Sequence, residues 1–169
     1  VLRLPGCCRS TSPEITATVR GPGAINVRNA LGVYGMARAL GLRGEEILPG
    51  LHGFRGIARR QELVGDFGGI VLIDDFAHHP TAVAGVIAAV RSRYPERRLW
   101  AVFEPRSNTS RRKVFQREYV EAFAAADRVL IGGVFRKETD QLAEADLFSP
   151  EQLVADLTAR GIAAATIAQ

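Results

Sequence analysis

The chain has 169 residues, 47% apolar and 24% charged, with a net charge of +4. Its length permits one domain, or one domain with part of a second, and its composition excludes a disordered or low-complexity protein. No apolar run approaches the ~18–20 residues that cross a bilayer, and the start Val-Leu-Arg-Leu-Pro lacks the apolar core of a signal peptide.

The cysteines, Cys7 and Cys8, are adjacent and make no secreted disulfide framework, so a reducing, cytoplasmic setting is expected, with no membrane partner. The start at Val1 without methionine and the abrupt end at Gln169 point to part of something longer. Basic residues cluster at Arg91 to Arg98 and Arg106 to Lys113, but no aromatic platform is interleaved. An anionic metabolite therefore ranks above nucleic acid as partner.

In chain order, Ile15 to Val19 carries a β pattern and Gly21-Pro22-Gly23 reads as a turn. Asn26 to Leu40 is expected as a helix, with Asn26 able to cap it. Ala30, Leu31, Tyr34, Ala37 and Leu40 recur at helical spacing, and Gly41 is placed to stop it. Glycine and proline enrich Arg43 to Gly56, where a short helix or ordered connector is expected. A domain boundary is expected near Ala58 to Arg60, beyond which strands and helices alternate.

Gln61 to Val64 reads as a strand and Asp66-Phe67-Gly68-Gly69 as a turn. Ile70 to Asp75 reads as a central strand, whose unbroken apolar run predicts cover on both faces. Pro80 suits the first position of a helix over Thr81 to Val90. Arg98 to Glu104 is expected as a strand, Asn108 to Ala126 as a long helix and Arg128 to Val134 as a strand. Pro150 to Arg160 follows as a helix ended by Gly161, and Ile162 to Ile167 as a last strand.

This alternation implies an α/β, doubly wound, mostly parallel sheet in three layers with right-handed crossovers. Ligands of such sheets bind beyond the carboxyl ends of the strands. Three loops are thereby expected on one edge, Asp75 to Pro80, Glu104 to Ser110 and Gly132 to Asp140, with Asp75, His78 and Arg106 facing a shared pocket.

His78 and His79 are adjacent, rarely point the same way and have no third ligand at suitable spacing, so no metal is expected. Asp75 and His78 suit hydroxyls or ring nitrogens of a nucleotide, while Asp75 or His79 capping the next helix is the plainer alternative. In Glu104-Pro105-Arg106-Ser107-Asn108-Thr109, the Arg106 guanidinium can pair bidentately with a carboxylate, and Ser107, Asn108 and Thr109 add neutral donors. Arg112 and Lys113 read as a solvated basic face. No Gly-x-x-x-x-Gly-Lys-[Ser/Thr] phosphate loop occurs, so the grip on any nucleoside triphosphate lies elsewhere.

Asn26-x-x-Asn29-Ala30-Leu31, Arg59-Arg60, Asp74-Asp75-Phe76-Ala77-His78-His79-Pro80-Thr81 and Glu104-Pro105-Arg106-Ser107-Asn108 together resemble the Mur ligase family. The likeness spans roughly residues 20 to 169. The family consists of ATP-dependent amide-forming enzymes of peptidoglycan synthesis, and the histidine-bearing segment is similar to its branch acting on UDP-N-acetylmuramate. The Glu104 to Thr109 loop is similar to the recycling ligase that takes the tripeptide L-alanyl-γ-D-glutamyl-meso-diaminopimelate; the member adding L-alanine, which usually differs in that loop, is the alternative.

The resemblance implies that residues 1–58 are the tail of a central ATPase domain and 59–169 a Rossmann-like carboxyl-terminal domain, shortened at its end. The UDP-sugar domain and phosphate loop would be missing, and the fragment inactive alone. It implies ATP with Mg2+ as cofactors of the whole enzyme. It places Asn26, Asn29, Arg60, Asp75 and His78 at the nucleotide and Arg106, Ser107, Asn108 and Thr109 at the peptide, with no catalytic residue assigned. Ile25 stands where the family commonly has histidine. A stand-alone Rossmann-like module for an anionic metabolite is the reading from another class.

Overall fold

The structure is a computed structural model that describes residues 2–4, 15–17, 24–135 and 143–167. The adjacent cysteines, the expected turn at Gly21 to Gly23 and the far part of the loop ending at Asp140 lie outside the described residues. The chain divides into two compact units, Val1–Asp75 and Phe76–Gln169. Among the described residues no helix is long and apolar enough to cross a membrane.

The first unit opens with an antiparallel pair, β1 (Leu2–Leu4) and β2 (Ile15–Ala17). Helix α1 (Ala24–Ala39) starts two residues before the expected cap, so Asn26 lies inside its first turn. Its end follows the sequence: Gly41 takes φ +90°, its N–H donates to the Arg38 carbonyl at 3.0 Å and that of Leu42 to Ala37 at 3.1 Å. That pattern closes the last orphan carbonyls at a residue only glycine occupies cheaply. The expected connector is helix α2 (Gly44–Gly53), where Glu45 and Glu46 sit in the first turn and Glu46 Oε2 accepts the Arg43 N–H at 2.7 Å. Acidic groups there offset both the free N–H groups and the helix dipole.

Strands β3 (Glu62–Phe67) and β4 (Ile70–Asp74) follow, and here the expected arrangement is corrected. Instead of a central parallel strand buried on both faces, β4 pairs antiparallel with β3, Phe67 facing Ile70. Ile70 is 71% and Leu72 50% exposed. The cause is the two-residue connection Gly68-Gly69, with φ +61° and +87°, whose twist matches paired antiparallel strands. Asp66 Oδ1 accepts the Gly69 N–H at 2.9 Å and fixes the turn.

The second unit holds the parallel sheet β5 (Trp100–Phe103), β6 (Arg128–Gly132) and β7 (Ala163–Ile167), in that order. Helices α3 (Pro80–Arg93), α4 (Gln116–Ala122) and α5 (Pro150–Ala159) pack in series, with α5 on β6 and β7. This is the α/β, Rossmann-like parallel sheet the alternation predicts. Phe103, Val129 and Ile131 turn into a core shared with Val83, Ile87, Tyr119, Phe123, Phe148, Leu153 and Leu157. Pro80 and Pro150 occupy first helical turns, capped by His79 Nδ1 and Ser149 Oγ, and Gly161 at φ +80° closes α5 as Gly41 closes α1.

At the amino-terminal end of the sheet, Asp127 Oδ2 accepts from Arg91 Nη2 and from the Leu99 N–H, both at 2.6 Å. The Arg91 hydrogen bond first, then the Leu99 N–H, hold its carboxyl below the usual carboxylate range. A depressed folded-state pKa gives stability that is complete above the unfolded value and lost as pH falls through the folded one. Asp127→Asn should therefore be less stable than wild type at neutral pH, the gap closing as the solution is acidified. Unfolding midpoints measured across pH check this; a gap independent of pH would contradict it.

Candidate functional site

β5 and β6 end side by side, Phe103 against Ile131, so the segments leaving them share the carboxyl edge of the sheet. The segment after β5 is a tight turn and not the start of a helix, which corrects the expected helix from Asn108. The Ser107 N–H donates to Ser110 Oγ and the Ser110 N–H to Ser107 Oγ, each at 3.0 Å, and the two hydroxyls are 2.9 Å apart. Serine oxygens that take these backbone donors compete with helical pairing. Regular α-helix waits until Gln116, whose amide brackets Ser149: Nε2 donates to the Ser149 carbonyl and Oε1 accepts the Ser149 N–H, both at 2.9 Å.

Arg106 is exposed; its guanidinium lies 4.7 Å from the centroid of the Phe135 ring and Nη1 is 3.9 Å from Glu104 Oε1. An arginine resting on a ring keeps N–H groups available for a planar anion. Asn108 is exposed, and Ser107 and Thr109 are half-buried on the same turn. Arg111, read from sequence as one member of a basic run, is 4% exposed. Its Nη2 donates to Asn108 Oδ1 at 2.9 Å and its Nη1 to the Phe135 carbonyl at 3.2 Å. The Phe135 N–H donates to the Pro105 carbonyl at 3.2 Å, so the segments after β5 and β6 are stitched together.

His78 and His79 contact Tyr119 of α4 and Phe115 just before it. The buried Tyr119 hydroxyl donates to the His78 carbonyl, and the His79 ring stands edge-on to Phe115 at 4.9 Å. Burial pushes the Tyr119 phenol up, so it remains a donor throughout the physiological range. His79 is the helix cap, accepting the Thr81 N–H at 3.3 Å. His78 Nδ1 lies 3.0 Å from the Phe76 carbonyl, which only accepts, so Nδ1 is the donor in this contact.

In the first unit, Asp75 Oδ2 accepts the Gln61 N–H at 2.8 Å. Arg59 donates its N–H to Glu62 Oε2 at 2.7 Å and pairs through Nε with Asp74 Oδ2 at 3.2 Å. Arg59 and Gln61 adopt φ +57° and +50°, so Arg60 sits between two left-handed non-glycine residues pinned by carboxylates. Asn26 and Asn29 lie about one turn apart on α1. Among the described residues no three histidine, cysteine, aspartate or glutamate side chains gather as a metal site.

A family profile described as Mur ligase, glutamate ligase domain, matches residues 59–168. The chain belongs to the Mur ligase family. Among curated Mur ligases, the UDP-N-acetylmuramate–L-alanine ligase of Acidithiobacillus ferrooxidans is 43% identical over 114 residues, 68% of this chain and 24% of that protein. The enzyme of the same name from Variovorax paradoxus is 37% identical over 143 residues, 80% of this chain and 29% of the relative. The chain thus spans about a quarter of the length of these relatives.

Among solved structures, the Thermotoga maritima UDP-N-acetylmuramate–alanine ligase superposes with a TM-score of 0.71 at 22% identity, which shows a shared Mur ligase fold. It covers 94% of this chain and 32% of the other. A murein peptide ligase from Psychrobacter arcticus superposes at 0.65 with 28% identity, covering 95% and 32%.

Proposed function

We propose that this chain is the acceptor-side part of an ATP-dependent ligase that joins UDP-N-acetylmuramate to L-alanine in cytoplasmic peptidoglycan synthesis. The observation carrying the acceptor assignment is identity of 43% and 37% to two ligases named for L-alanine. That is a correction of emphasis: the loop from Glu104 to Thr109 led the sequence reading toward the tripeptide ligase. The tripeptide remains the second reading, favoured by that loop and by the 28% identical murein peptide ligase. In this reading residues 1–58 are the end of the ATPase domain and 59–169 the domain that presents the amine.

ATP supplies the phosphoryl group that activates the muramoyl carboxylate, and the acceptor amine displaces it as phosphate with formation of the C–N bond. The residues here fit the uncharged parts of a nucleotide. In the first unit the Asn26 and Asn29 amides and the Asp75 carboxylate match hydroxyls and ring nitrogens and Arg60 supplies one cation on a constrained turn; the second unit, taken by itself, offers the His78 imidazole. They do not fit a resident magnesium site, since no carboxylate cluster is present among the described residues. The loop bearing Arg106, Ser107, Asn108 and Thr109 meets the acceptor, orienting its amine; its contribution is one of proximity.

Exchange of residues 59–167 into the Acidithiobacillus ferrooxidans ligase tests the assignment. Amide formation is expected with L-alanine and ATP, and none from the 169-residue chain by itself. Product with the tripeptide alone would favour the second reading. A folded hybrid that turns over neither acceptor, or phosphate release by the isolated chain, would contradict both.

A further inference from the structure

We propose that Arg111 is a positioning residue that fixes the Asn108 amide with its nitrogen toward the acceptor carboxylate, making the turn after β5 a set of donors selective for an anion. The inference rests on the acceptor reading above. A guanidinium donates only, so the Asn108 atom 2.9 Å from Arg111 Nη2 is the carbonyl oxygen, and the Nδ2 group is what this exposed amide offers a ligand.

The same guanidinium holds the Phe135 carbonyl at 3.2 Å, and the Phe135 ring is the surface on which Arg106 rests. One buried cation thus orients two presented groups, the Asn108 amide directly and the Arg106 guanidinium through Phe135. Burial among fixed partners suits this task, because a planar fork can hold two carbonyl oxygens at once where an ammonium on a flexible stem cannot. Arg112 and Lys113, next in sequence, are exposed.

The test titrates the 169-residue chain with L-alanine, then with the tripeptide, following the Asn108 side-chain amide and Arg106 guanidinium by NMR. Asn108→Asp is the decisive variant, since its carboxylate still accepts from Arg111 while the Nδ2 donor is gone. It should keep the wild-type unfolding midpoint or exceed it, yet bind the acceptor about tenfold or more weakly, the scale of one hydrogen bond to a charged group. Arg111→Lys should weaken binding in wild type and by a smaller factor in an Asn108→Ala background, where only the path through Phe135 to Arg106 remains, whereas a merely structural role would cost the same affinity in both.

Wild-type affinity in Asn108→Asp, or an Arg111→Lys loss equal in both backgrounds, overturns the assignment to Arg111 and leaves the acceptor reading standing. No shift in the wild-type chain with either acceptor overturns the acceptor reading, and the assignment with it.

Discussion

Tyr119→Ala should cost the second unit about 3–5 kcal/mol, the range for deleting a large buried aromatic side chain. Tyr119 is fully buried and its ring contacts those of Phe103, Phe123 and Phe148, with centroids 5.1, 6.3 and 5.4 Å away. It is the point where α4 meets the core and the segment carrying His78. Tyr119→Phe keeps the ring and removes only the hydroxyl, leaving the His78 carbonyl without that donor, and should cost about 1 kcal/mol. Denaturant unfolding of the two variants separates packing from hydrogen bonding. Equal losses would mean that the hydroxyl and not the ring dominates, against the placement of this residue at the centre of the core.

Arg106→Ala should have the largest effect on acceptor use. In a ligase carrying this domain beside a phosphate-loop domain, losing a charge-assisted pair to a carboxylate removes about 1.5–3 kcal/mol. The acceptor KM should rise on the order of 10–100-fold, with the ATP KM little changed. Arg106→Lys should recover part of the loss, since an ammonium retains the charge but not the fork. Equal loss toward ATP and acceptor would contradict the role assigned to the loop.

Much of this framework is legible from single residues. Gly41 and Gly161 stop helices because each supplies the left-handed turn that closes the final carbonyls, and Pro80 starts one because its missing N–H costs nothing there. The run Ile70 to Ile73 was misleading because apolar continuity alone cannot tell a buried parallel strand from a hairpin arm. Gly68-Gly69 between two strand patterns was the signal that decides it.

The placement of the candidate site was legible in part. Arg106, Ser107, Asn108 and Thr109 do share one turn at the carboxyl edge of the sheet, where parallel topology places ligands. Arg111 escaped notice because burial of one arginine inside the run Arg111-Arg112-Lys113 has no local sequence signature; its partner Phe135 is 24 residues away. The spacing Ser107-x-x-Ser110 was the available hint that the segment turns before it coils. Gln116 and Ser149, joined across 33 residues, set where α4 begins in a way only tertiary contact reveals.

Hydrogen–deuterium exchange of the 169-residue chain, with and without a saturating acceptor, tests most directly whether this turn is where the amine substrate docks. Slower exchange is predicted for backbone amides of residues 106–111 and 134–135, with the basic segment 91–98 unchanged. Protection confined to 91–98, or no protection at the turn with either L-alanine or the tripeptide, would contradict it.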